Sequence, residues 1–166
     1  GGEAGMIISP IRVAMADFQI AKAPSQLITT GLGSCVGVAL YDAVTKVAGL
    51  AHIMLPDSQC GLPSSKQGKF ADTAIPALIA KMEETGAQRS RLTAKIAGGA
   101  QMFDFPDQVE KSVGDRNVEA VETILAQMGI PILARDTRGR RGRTIFFDPN
   151  CGSLSVRTVD SGVKEL

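Results

Sequence analysis

A period-two stretch over residues 36–42 limits this chain to few folds. There Val36, Val38 and Leu40 alternate with Gly37, Ala39 and Tyr41. Such a period sends alternate side chains to opposite faces of a strand. A short polar turn, Asp42-Ala43-Val44-Thr45-Lys46, leads into a second apolar run over 46–54. Together they predict an antiparallel hairpin. Its open end would bring Cys35, near the start of one strand, beside His52, near the end of the next.

The remaining pattern extends this frame. Residues 13–22 and 26–30 read as further strands, and 55–68, rich in Pro, Gly and Ser, as a loop. Ile75, Leu78, Ile79 and Met82 recur at helical spacing, with Asp72 or Thr73 expected as N-cap, since Pro76 suits only a first turn. Gly86 is the expected stop. A strand over 92–97 runs into Gly98-Gly99, and a second helix over 115–127 places Val118, Val121, Leu125 and Met128 on one face. Strands over 132–136, 143–147 and 153–159 close the chain, the last two joined by a turn at 148–152. Many strands with two helices imply an α+β layered fold with the helices on one face.

Bulk properties narrow the function classes. The length of 166 residues fits one domain with a substantial core over 1–166, the first ten residues being expected to be flexible and Gly1-Gly2 to be an expression remnant. With 44% hydrophobic but only 4% aromatic residues, that core is built of Val, Ile, Leu, Ala and Met. A formal net charge of +1 gives no global attraction to nucleic acid or acidic membranes. No apolar run approaches the roughly 20 residues of a membrane span, and no signal peptide is visible. Three cysteines at dissimilar spacings, without CxxC, indicate neither a disulfide framework nor a zinc site. Reduced thiols and a cytoplasmic location are expected.

The run Thr29-Thr30-Gly31-Leu32-Gly33-Ser34-Cys35-Val36-Gly37 admits three readings. A dinucleotide loop must lead into a helix, whereas this one leads into a predicted strand, and no ribose-binding acid follows about 20 residues on. A tight turn would explain Gly31 and Gly33 but not a cysteine at the strand entry. The third reading is a nucleophile site. A free thiol has a pKa of about 8.5, and a neighbouring imidazole can assist its ionisation. His52 is the only histidine, so any Cys/His chemistry must use it. The Cys35 N–H with a neighbour from Gly33 or Ser34 would stabilise an oxyanion, and Thr29 or Thr30 would orient the imidazole. The bland alternatives are a small buried hydrophobe for Cys35 and a satisfied core residue for His52.

Several ordered blocks carry a resemblance. They are Leu32-Gly33-Ser34-Cys35-Val36, Gly49-Leu50-Ala51-His52-Ile53-Met54-Leu55-Pro56-Asp57-Ser58, and Gly68-Lys69-Phe70-Ala71-Asp72-Thr73-Ala74. Further along come Ala94-Lys95-Ile96-Ala97-Gly98-Gly99-Ala100-Gln101-Met102-Phe103, Gly114-Asp115-Arg116-Asn117-Val118 and Asp136-Thr137. The chain resembles the chemoreceptor glutamine deamidase family, CheD, from about residue 18 to 159. The resemblance implies a layered α/β/β sandwich with mixed sheets, similar to toxin-type cysteine deamidases. It also implies a catalytic Cys35 and His52, with Thr29 rather than Thr30 as the third member. The implied reaction hydrolyses receptor glutamines to glutamate through a thioester, with no cofactor or metal. Methyl-accepting chemotaxis receptors would be the substrate, and a CheC-type phosphatase a regulatory partner, with residues 97–105 contributing to the site mouth or to that contact.

Two rival readings stay open at this point: a receptor methylesterase using the same acyl-enzyme, and a binding module that regulates the phosphatase. The basic run Arg138-Gly139-Arg140-Arg141-Gly142-Arg143 is expected to be a solvated hairpin turn, with steering toward an acidic partner as its functional alternative. No aromatic residue is interleaved there, which disfavours RNA binding. Cys60 and Cys151 have no histidine to serve them and read as incidental, although Cys60 could lie near Cys35.

Overall fold

The computed structural model describes residues 9–59, 66–102, 111–160 and 162–166. The elements run β1 (Ile11–Arg12), β2 (Phe18–Lys22), β3 (Leu27–Leu32), β4 (Val36–Asp42), β5 (Val47–Ile53), α1 (Ala71–Glu84), β6 (Thr93–Gly98), α2 (Val113–Gln127), β7 (Ile132–Thr137), β8 (Arg143–Asp148), β9 (Ser153–Thr158) and β10 (Gly162–Glu165). They form two five-stranded sheets, ordered β2-β5-β4-β6-β7 and β1-β3-β8-β9-β10. The pairs β1/β3 and β6/β7 are parallel and the others antiparallel, so both sheets are mixed.

The alternation seen in the sequence divides the core into two layers. Val36, Val38, Leu40, Val47, Ala51 and Ile53 face α1 and α2, whose Ile75, Leu78, Ile79, Met82, Val118, Val121 and Leu125 are buried against them. Ala39, Ala48 and Leu50 face the other way, meeting Leu27, Leu32, Ile145, Phe147, Leu154 and Val156 of the second sheet. This is a helix–sheet–sheet sandwich, and β4 and β5 are buried on both faces. The hairpin forms as expected, from Val36↔Ile53 at the open end to Asp42↔Val47 at the turn.

Four local expectations are corrected. α1 begins at Ala71, with Phe70 at the N-cap and no side-chain cap; Asp72 instead accepts hydrogen bonds from Ser58, and Thr73 donates to Gln67 O. Pro76 therefore lies deeper than the first turn. Residues 13–17 are not strand, because the backbone turns there: Ala16 takes φ 64° and Asp17 Oδ1 accepts the Phe18 N–H. The second helix starts at Val113, capped by Ser112, whose hydroxyl accepts from Asp115 N. Finally, β10 is an unforeseen edge strand, exposed at all four positions, so no apolar alternation announced it. The expected flexibility of residues 1–10 falls largely on residues outside the described set.

Candidate active site

His52 lies on β5 and turns with Ala48 and Leu50 toward the second sheet, where it is 1% exposed. Thr29, on β3 of that sheet, is buried opposite it, and Thr29 Oγ1 lies 2.7 Å from His52 Nδ1. The same hydroxyl donates to Val13 O at 2.7 Å. A hydroxyl has one proton, so Oγ1 must accept from His52 Nδ1–H. The neutral imidazole is thereby fixed with its proton on Nδ1 and a free lone pair on Nε2. Among the described residues, Nε2 has no hydrogen-bond partner. Burial lowers the His52 pKa to about 4, so the ring is neutral at pH 7. Thr30, its neighbour on β3, is exposed and faces away.

Cys35 sits one residue before β4 and is a free, buried thiol in the inter-sheet layer. Gly37 pairs directly with His52 across the ladder, and Cys35 precedes Gly37 by two residues. The thiol is thus the diagonal neighbour of the imidazole on one sheet face, a relation that spans about 7–8 Å between backbones and less between side chains. Gly37 leaves no side chain opposite His52; a Cβ there would lie 2.6 Å from Ile145 Cδ1. Burial pushes the Cys35 thiol pKa up, and a hydrogen bond from its own backbone N–H partly opposes this. Thiol and imidazole are therefore both neutral at rest.

The loop carrying Cys35 is held by three consecutive carbonyls. Gly33 O accepts from Ala100 N at 2.9 Å, Ser34 O from Asn117 Nδ2 at 2.9 Å, and Cys35 O from Gly99 N at 2.8 Å. The approach requires glycine at position 98, where φ is +111° and a Cβ would sit 2.3 Å from Cys35 O. Gly33 donates its own N–H to Gly31 O, so that group is engaged. A Cβ on Gly33 would lie 3.2 Å from the half-exposed Met102, which covers this side of the loop. Of the 97–105 segment, residues 103–105 lie outside the described set, as does Cys60; Cys151 is exposed in the β8–β9 turn.

Sequence reasoning gave Asn117 no role. It occupies the buried stripe of α2 with Gly114, Val118, Val121 and Leu125. The available signal was an Asn on the helical stripe that carries Val118, Val121 and Leu125; the structure shows it fully buried there. The basic run is not the expected solvated hairpin turn: it crosses from β7 in one sheet to β8 in the other, and Arg143 is buried at the start of β8. Its arginines are largely paired: Arg138 with Asp115 and Glu122, Arg141 with Asp160, and Arg143 with Asp136. Among the described residues no group of three His, Cys, Asp or Glu could hold a metal ion. No helix among them is long and apolar enough to cross a membrane.

A family profile described as CheD chemotactic sensory transduction matches residues 54–158. The chain is 52% identical over 158 residues to the "Chemoreceptor glutamine deamidase CheD" of Halalkalibacterium halodurans, covering 94% of this chain and 98% of that one. It is 49% identical over 157 residues to the "Probable chemoreceptor glutamine deamidase CheD" of Clostridium novyi, covering 94% and 97% respectively. A looser likeness, with TM-score 0.47 and 18% identity over 74% of this chain and 51% of the other, links it to the Bacillus licheniformis hypothetical protein YfiH and carries no functional weight. With relatives near half identity along almost its whole length, and a profile match over most of it, the chain belongs to the CheD family.

Proposed function

We propose that this chain deamidates selected glutamine side chains of chemotaxis receptors to glutamate, with Cys35 as nucleophile, His52 as general base and acid, and Thr29 as the group that orients the imidazole. The observation that carries this reading is the Val13–Thr29–His52 relay, which leaves Nε2 unprotonated on the sheet face that bears Cys35. Nε2 takes the thiol proton as Sγ attacks the carboxamide carbon. The oxyanion accepts a hydrogen bond from the Cys35 N–H, with Ser34 as the neighbouring donor; Gly33 serves the turn instead. Collapse expels ammonia with the proton from His52 and leaves a thioester. His52 then draws a proton from water, which attacks the thioester, and returns it to the departing thiolate. The net change is one water consumed and one ammonia released, with no cofactor in the cycle.

One methylene separates glutamine from asparagine, and a pocket discriminates a methylene by only about 10–200-fold. Selectivity in this reading comes from docking to receptor helices. The reading treats 1–166 as one deamidase domain acting in the cytoplasm, with a CheC-type phosphatase as regulator. The test is mass spectrometry of a receptor cytoplasmic fragment from the same organism, incubated with wild type or Cys35→Ala. A gain of about one dalton at specific glutamines, with wild type only, is expected. No gain with either protein would overturn the reading in favour of regulatory binding, which a phosphatase pull-down would detect. Loss of methyl groups from a methylated fragment would add methylesterase activity through the same thioester.

A further inference from the structure

Asn117 is fully buried on the apolar stripe of α2, where an aliphatic side chain would pack at lower desolvation cost. Its Nδ2 donates both protons, to Ser34 O and to Met54 O, each at 2.9 Å. Ser34 immediately precedes Cys35, and Met54 lies two residues beyond His52. The β4–β5 ladder has its last pair at Val36↔Ile53, so these carbonyls sit just past its open end. Two carbonyls cannot bond each other. A primary amide is the neutral side chain that offers both of them a proton from one nitrogen. Among the described residues, Asn117 Oδ1 has no partner, so the side chain is placed for its donors.

The Ser34–Cys35 peptide is the middle one of the three pinned carbonyls, and the only one of them held by a side chain; Gly33 O and Cys35 O are held by backbone N–H groups. A trans peptide is planar, with its C=O and N–H pointing in opposite directions. Drawing Ser34 O toward α2 turns the Cys35 N–H away from the helix layer, to the side where its own Sγ accepts from it. The helix is seated closely enough to do this: a Cβ on Gly114 would lie 2.5 Å from both Gly99 O and Ala100 O. We infer that Asn117 is a positioning residue, which aims the Cys35 N–H at the thiol and the developing oxyanion and ties the nucleophile loop to the end of the histidine strand. This rests on the deamidase reading for its catalytic consequence, but the aim of the N–H is testable without turnover.

The experiment compares wild type, Asn117→Leu and Asn117→Ser. Site-resolved alkylation of Cys35 by iodoacetamide is followed from pH 6 to 10, with exposed Cys151 as internal control. Turnover of the receptor fragment and thermal midpoints are measured in parallel. Asn117→Leu is expected to move the Cys35 alkylation midpoint up by about 0.5–1 pH unit, leaving Cys151 unchanged. Its kcat should fall about 10–100-fold with KM within about twofold, as for a loss confined to the transition state. Asn117→Ser, which keeps one donor and little bulk, should fall between and serves if the leucine variant does not fold. A wild-type Cys35 profile in either folded variant overturns the inference, as does a loss that appears only in KM. A wild type that never deamidates the fragment would sink the deamidase reading alone, while the alkylation profile still decides the clamp.

Discussion

The two ends of the β4–β5 hairpin treat buried polar groups in opposite ways. At the turn, Asp42 is fully buried yet surrounded by donors: Arg91 through Nε and Nη2, and the N–H groups of Val44, Thr45 and Gln88. The Arg91 guanidinium holds the Asp42 carboxyl far below the usual carboxylate range. The loose atom there is Thr45 Oγ1, a neutral hydroxyl. At the open end, His52 Nε2 and Asn117 Oδ1 are buried without partners among the described residues, and a thiol is kept neutral beside the imidazole. Unpaired buried groups cost stability. The turn end is organised for stability, whereas the open end leaves buried polar atoms unpaired, as the proposed deamidase site needs.

Substitutions can break that contrast from either side. Cys35→Ala should reduce deamidation by at least about 10³-fold while leaving the thermal midpoint nearly unchanged, read by mass spectrometry and calorimetry. Thr29→Val frees the imidazole to change tautomer, so kcat should drop about 10–100-fold, with Thr29→Ser restoring most of it. Asp42→Ala should do the reverse: a stability loss of about 2–4 kcal/mol in urea unfolding, from stranded N–H groups, with near-normal activity per folded molecule. A large activity loss in folded Asp42→Ala would erase the contrast.

Acid sharpens the comparison because the ends titrate in different windows. The folded pKa of His52 is about 4, against about 6.5 unfolded. The unfolded state therefore binds more protons between those values, and stability falls as pH drops from about 6.5 to 4. The loss is on the order of 3 kcal/mol and should vanish in His52→Gln. The Asp42 contribution is present above the unfolded carboxylate pKa and is lost only at lower pH, as protonation approaches its depressed folded value. Thiolate absorbance at 240 nm attributable to Cys35 should be absent at neutral pH; its presence would show a resting ion pair. Smallest of all, Arg141→Ala removes an exposed pair with Asp160 and should change stability by less than about 0.5 kcal/mol.

Legibility followed sequence distance. The hairpin, the two helices and the split between apolar faces rest on contacts within a few residues, and periodicity exposes those. The cap of α1 is not legible locally: Asp72 and Thr73 are good cap residues by type, yet their oxygens bond Ser58 and Gln67. The edge strand β10 forms because β9 offers a free edge, something its own exposed residues do not encode.

The chemistry on offer is written in the chain: one histidine, a glycine-framed cysteine, and a hairpin that sets them on one face. The sequence left Thr29 and Thr30 equivalent until resemblance favoured one. The closing of the layers settles which hydroxyl meets Nδ1, which proton the imidazole keeps and which side chain holds the Cys35 loop. Each of those contacts joins layers: β3 and β5 come from different sheets, and Asn117 reaches Ser34 from 83 residues away. Local pattern fixes which face of a strand a residue occupies; what stands opposite depends on how two sheets and a helix layer close over their shared cores.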